Sequence, residues 1–224
     1  MNLPFELNGK TILIAGSWED LNVGQTIDLL QWATGDNEKD LVTLASIVST
    51  LDKSELLDLP YEIITKIAAP AYNFIMQTKL DKDEWDCPKE FKCGDNVYKT
   101  SMDPGLMNYG CMEIFEKTIS NESTNFCEKI PLMIASMIYK GKFRDREIEA
   151  RKDIENIANN EVMLMPVYIA YPVSAFFLNK LLHSVQKQRE AMMDIPNLKP
   201  ELELKSWRNL VNSVRFIRWQ KAIR

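Results

Sequence analysis

Histidine is almost missing from this sequence: His183 is the only one in 224 residues. Histidine triads, histidine general bases and histidine-assisted metal chemistry would all have to pass through that one side chain. It follows Leu181-Leu182 in a stretch with helical patterning, where a surface or capping position is expected. Cysteine is scarce as well. Cys87, Cys93, Cys111 and Cys127 are too few to staple a chain of this length, and reduced thiols in an intracellular setting are expected. The sequon Asn121-Glu122-Ser123 is then incidental. The cysteines contain no Cys-x₂₋₄-Cys pair to deliver two zinc ligands from one turn, so buried or incidental thiols are the expected reading. Long apolar runs are also lacking. Charge or proline interrupts each one before the roughly 18 residues that a membrane span requires. The first residues, Met1-Asn2-Leu3-Pro4-Phe5-Glu6, carry neither a basic region nor an apolar stretch, and no signal peptide is expected there. A basic excess is absent too: the formal net charge is -5, which speaks against wholesale nucleic-acid binding.

What is present is the composition of an ordinary globular protein, 46% apolar and 26% charged, enough for one large domain or two small ones. The patterning predicts a mainly α protein, a helical bundle with two small β-hairpins. Phe5-Glu6-Leu7 and Thr11-Ile12-Leu13-Ile14-Ala15 flank Asn8-Gly9-Lys10, and Asn-Gly supplies the positive φ angles of a tight hairpin turn. Asn22 with Gln25 fits a capping box opening a helix through Ile27, Leu30 and Gln31. Apolar residues at 41, 44, 45, 48 and 51 give one face of a second helix. Asp52 and Glu55 make another box, and Pro60 suits the first position of a helix that Pro70 would kink. A second hairpin is predicted from Glu90-Phe91-Lys92-Cys93 and Val97-Tyr98-Lys99-Thr100. Helical periodicity then returns over Gly110 to Ile119, Ile130 to Tyr139 and Asp145 to Ile157. Broken helices are expected from Val162 to Leu182, because of Pro166 and Pro172.

The two halves look alike in this reading. Phe5, Asn22 and Gly24 align with Phe91, Asn108 and Gly110 at a constant offset, and Pro70-Ala71-Tyr72 resembles Pro172-Val173-Ser174. The expectation is an internal duplication with units at 1–80 and 91–182, a charged linker at 81–90, and a linker with a terminal helix at 183–224. The alternative is chance recurrence of a hairpin followed by helices.

Local motifs yield little chemistry. Gly9-Lys10-Thr11 resembles the end of a phosphate-binding loop, but Pro4 stands at the leading glycine position and a strand follows where a helix is required. Asp81-Lys82-Asp83-Glu84-Trp85-Asp86 alternates acids as a calcium loop does. It has Asp86 in place of the turn glycine and Lys92 in place of the closing acid. Glu147 with Glu149, and Asp153 with Glu155, sit two apart on helical segments and so point in different directions. No catalytic residue, cofactor site or metal site is expected, and the chain reads as a non-enzyme. The last stretch is different. From Ser206 to Arg224 there is no acid, and Trp207, Leu210, Val211, Val214 and Ile217 fall on one helical face. Trp207, Arg208, Arg215, Phe216, Arg218 and Trp219 are the candidate partner-binding residues, since aromatics with arginine are what protein interfaces use most. An ordinary packed terminal helix and a nucleic-acid contact are the competing readings. Steep salt dependence of DNA affinity would support the second of these.

The block Phe5-Glu6-Leu7-Asn8-Gly9-Lys10-Thr11, followed by Ser17-Trp18-Glu19-Asp20-Leu21-Asn22-Val23-Gly24-Gln25, resembles the start of tail assembly chaperone-like proteins of tailed bacteriophages. Leu44 to Pro60, Met165-Pro166, Tyr171-Pro172 and Phe176-Phe177-Leu178 are similar to later parts of that family, whose pattern marks fold rather than contact points. The resemblance implies a helical protein that protects an aggregation-prone partner, the tape-measure protein, during tail building in the cytoplasm of an infected host cell. Homo-oligomers and persistence in the virion are compatible with it, and a membrane is not involved. The alternatives are a structural virion component (tail, baseplate or neck) and a nucleic-acid-binding regulator. Methionines such as Met133, Met137, Met163, Met165, Met192 and Met193 suit a groove that repacks around clients, and suit plain core filling equally.

Overall fold

The computed structural model describes residues 2–34, 40–77, 85–101, 107–144 and 146–193. Strands β1 (Leu3–Leu7) and β2 (Lys10–Ile14) pair antiparallel around Asn8-Gly9, with Phe5 opposite Ile12. Both turn residues have positive φ, 50° at Asn8 and 76° at Gly9, as a type I′ turn demands. Ile12 and Ile14 face the core, while Leu13 between them stays exposed. A 3₁₀ turn, Trp18–Asp20, buries Trp18 edge-on against Phe74, with ring centroids 5.2 Å apart.

Helix α1 (Val23–Thr34) opens on the expected box: Gln25 N–H donates to Asn22 Oδ1 at 2.8 Å, and Asn22 N–H donates to Gln25 Oε1 at 3.1 Å. Asn22→Ala is expected to cost about 1 kcal/mol. A lower urea midpoint with an unchanged slope would register it; an unmoved midpoint would mean that the box adds nothing. Helix α2 (Leu41–Val48) is capped by Asp40 and stops short of Leu51. The reason is tertiary: Val48 C=O accepts from Ala15 N–H at 2.7 Å and Ser49 bridges to Ile14, so β2 captures the chain before the helix can continue. Helix α3 (Lys53–Leu57) is short, and α4 (Tyr61–Gln77) follows Pro60 and includes Pro70 within one continuous helix.

The second half again runs from a hairpin into four helices. Strands β3 (Glu90–Cys93) and β4 (Asn96–Lys99) pair with Phe91 opposite Tyr98. Gly94 has φ 56°, the left-handed region that the turn requires and that glycine adopts without strain. Helix α5 (Tyr109–Ser120) is capped by Asn108, which accepts from Cys111 N–H at 2.9 Å. Helix α6 (Phe126–Ile138) starts one turn before Ile130 on a full Asn125–Glu128 box. Helix α7 (Glu147–Asn160), a 3₁₀ turn (Val162–Leu164) and α8 (Val167–Met193) complete the described chain. Pro166 does interrupt the apolar stretch. Pro172 does not, contrary to expectation. It falls within a segment where Ala170, Tyr171, Val173, Phe177 and Leu178 are all buried, and that packing offsets one missing backbone bond.

Both halves contribute to one hydrophobic core. Their seam is stitched by backbone: Val23 N–H donates to Met165 C=O at 2.9 Å, and Val167 N–H to Leu21 C=O at 3.0 Å. Trp85, in the segment expected to be a solvated linker, is partly buried at this seam. Its indole N–H reaches Glu19 at 3.4 Å and its ring meets Tyr171 edge-on at 6.2 Å. Within each half the second helix is the hub, α2 against α1, α3 and α4, and α6 against α5, α7 and α8. The strand registers Phe5–Ile12 and Phe91–Tyr98, and the helices Val23–Thr34 and Tyr109–Ser120, coincide at a shift of 86 positions.

Candidate partner-binding groove

A surface groove of about 320 Å³ lies where α5, α6 and α7 meet. Its apolar lining is Ile114 from α5 and Ile154 from α7, both on the buried stripes of their helices, with the partly buried Leu132 from α6. Polar and charged residues complete it: Lys117, Thr118, Asn121, Thr124, Glu128, Lys129, Arg151 and Glu155. The α5–α6 connection is set by local bonds, Asn121 Oδ1 accepting from Ser123 N–H at 3.1 Å before Asn125 caps α6. Lys129 reaches across to α5, its Nζ donating to Ile119 C=O at 2.8 Å. Burial pushes the Lys129 ammonium below its ordinary pKa, against the opposing pull of Glu122 and Glu128.

One side of the groove is held by an ionic chain. Glu113 accepts from Lys117 at 2.6 Å and from Arg151 at 3.0 Å, and Arg151 also grips Glu147 at 2.8 Å. Hydrogen bonds from Lys117 and then Arg151 hold the Glu113 carboxyl below the usual glutamate range. Exposed pairs of this kind contribute little to stability; their effect is to fix α5 relative to α7. Next to them, burial followed by repulsion from Glu113 raises the Glu116 carboxyl above its ordinary range. A raised carboxyl favours the fold below the unfolded-state pKa near 4.3 and loses that advantage as pH climbs through the folded value. Glu116→Gln should therefore raise the melting temperature at pH 7 and leave it unchanged at pH 3; an equal gain at both would place the cause elsewhere.

The residues weighed as chemistry are not gathered here. Gly9-Lys10-Thr11 forms the first hairpin turn and the start of β2. His183 is exposed on α8. Glu147 pairs with Arg151, Asp153 accepts from Tyr139 at 3.4 Å, and Glu155 lines the groove, so the acids two apart do diverge. Cys93, Cys111 and Cys127 are buried and Cys87 is half-buried, and none of the four is in a disulfide. Burial, with Glu161 nearby, pushes the Cys93 thiol up to about 12. Alkylation of the native protein at neutral pH should modify Cys87 alone, and slowly, since burial raises its thiol too. Modification of Cys93 or Cys127 at a comparable rate would contradict the packing. Among the described residues no group of three or more His, Cys, Asp or Glu side chains converges as a metal site would. No described helix is long and apolar enough to cross a membrane. Of the methionines considered for client binding, Met133, Met137 and Met165 are buried in the core.

Trp207, Arg208, Arg215, Phe216, Arg218 and Trp219 lie outside the described residues, as do Asp81–Glu84 of the calcium-like stretch. The groove itself has no local sequence signature, because its lining comes from three helices and the loop between two of them. Only the Asn125–Glu128 box, which fixes where α6 begins, could have pointed to it. No protein-family model, curated protein or solved structure matches the chain.

Proposed function

We propose that this protein is a non-enzymatic assembly chaperone that holds a helical, aggregation-prone partner, in the manner of the tail assembly chaperone-like proteins its sequence resembles. The partner is then a tape-measure protein, and the place of action is the cytoplasm of an infected host cell. The observation that carries the reading is the α5–α6–α7 groove, with an apolar floor and a rim of both charge signs. Such a surface suits an amphipathic segment, whose apolar stripe is covered while its charges meet the rim. It suits catalysis poorly. Arg151 and Lys117 are already committed to neighbouring carboxylates, so no poised acid, base or nucleophile faces the groove from them.

Quantitative mass spectrometry of purified particles beside the infected-cell lysate tests the proposal. Abundance in the lysate with absence from finished particles is the expected result. A fixed copy number in particles would make the protein a structural part of the tail, baseplate or neck instead.

A further inference from the structure

Helices α4 and α8 begin alike. Each follows a proline, Pro60 or Pro166, whose C=O accepts from the N–H groups three and four residues on: Ile63 and Ile64 in α4, Ile169 and Ala170 in α8. Just before, Leu59 N–H donates to Leu56 C=O at 3.1 Å, and Met165 N–H to Val162 C=O at 3.0 Å. Burial agrees at the same shift of 106 positions. Leu56 and Val162, Ile67 and Val173, Ala68 and Ser174, Ala71 and Phe177 are all buried.

The agreement ends at one place. Val167, the first residue of α8, is 0% exposed, while Tyr61, the first of α4, is 73% exposed. Met163 is partly buried where Leu57 is 70% exposed, and Met165 is buried where Leu59 is half-buried. What covers the α8 turn is the turn before α1. Leu21 C=O accepts from Val167 N–H, Met165 C=O accepts from Val23 N–H, and Asn22 stands opposite Pro166 in an antiparallel bridge. The equivalent groups of the α4 turn, Tyr61 N–H and Leu59 C=O, have no backbone partner among the described residues. The side chains beside them are nonetheless apolar, as at a covered turn.

We propose that the turn at 57–61 is a self-association surface, on which two copies of this chain meet about a two-fold axis between their Pro60 residues. An antiparallel bridge is symmetric. Each side supplies the C=O before its central residue and the N–H after it, so such a turn is complementary to a second copy of itself. Tyr61 N–H of each copy then donates to Leu59 C=O of the other, and Leu57 and Tyr61 of both copies supply the apolar contact. Proline at the centre is no obstacle, since the bridge uses no N–H of its central residue, as Pro166 shows. Nor is the meeting of two helix N-termini, because the seam already joins the first residues of α1 and α8 to each other's turns. The turn at 107–109, before α5, is the poorer match. Phe143 lies against Gly110 where Met163 lies against Gly24, and Asn108 Nδ2 donates to Gly141 C=O at 3.4 Å, so the chain's own α6–α7 connection hems it in.

Sedimentation equilibrium of the full chain, from micromolar to millimolar concentration, tests the proposal. A reversible rise from one copy to two, and no further, is expected. Tyr61→Asp should weaken the dimer about tenfold or more. It should leave the melting temperature of the dilute, single-copy protein unchanged, because an acid suits the first turn of a helix. Tyr109→Asp should dimerise as the unaltered chain does. A chain that stays single throughout, a dimer indifferent to Tyr61→Asp, or larger assemblies that Tyr109→Asp abolishes would each overturn the proposal. In the first case hydrogen exchange names the reason: a Tyr61 amide protected at every concentration would place a segment of the same chain on the turn. The pairing does not depend on the assembly reading, and the particle-and-lysate comparison decides that reading separately.

Discussion

Phe177→Ala should lower the unfolding free energy by about 3–5 kcal/mol, the usual cost of removing a core phenylalanine. Phe177 is 1% exposed on α8 and meets Phe91 of β3 edge-on, with ring centroids 6.3 Å apart. It therefore anchors the second hairpin on the long helix, and its loss leaves a cavity between two elements that cannot easily close on each other. Since a domain is commonly stable by only about 5–15 kcal/mol, the variant should sit near the limit of folding, with a much lower urea midpoint. A loss under about 1 kcal/mol would mean that the hairpin is not fixed by this ring.

Val23→Asp should be as damaging, for a different reason. Val23 is fully buried at the seam, beside the backbone bond to Met165. A carboxylate there is cut off from water, so several kcal/mol are lost. The pattern of loss is the informative part. Because both halves build one core, amides of α6 and α8 should lose hydrogen-exchange protection together with those of α1 and α2. Exchange confined to the first half would show that the halves fold separately.

Much of the architecture was legible where local chemistry decides. Asn8-Gly9 fixed a hairpin, Asn22 with Gln25 fixed a helix start, and Pro60 preceded a helix as its fixed φ favours. The Asn125–Glu128 box carries the same signal for α6, yet the apolar period only becomes clear at Ile130, a turn after the helix begins. Other differences are tertiary. Leu51 continues the helical period of α2, but pairing of Ser49 with Ile14 ends the helix first. Pro172 is a helix breaker by local rules, and the packing around Val173 and Phe177 overrides it. Trp85 sits among acids and lysine in sequence, and only the fold brings Tyr171 and Glu19 to it. The groove was the least legible feature. Ile114, Leu132 and Ile154 each look like ordinary stripe residues, and nothing marks them as neighbours until α5, α6 and α7 are packed.

The most direct measurement follows the light scattering of a tape-measure protein diluted from denaturant, with and without this chain at equal concentration. Suppressed scattering and co-elution of the two chains in a soluble complex are the expected result. Unchanged aggregation, with this chain eluting alone, would contradict the proposed chaperone function.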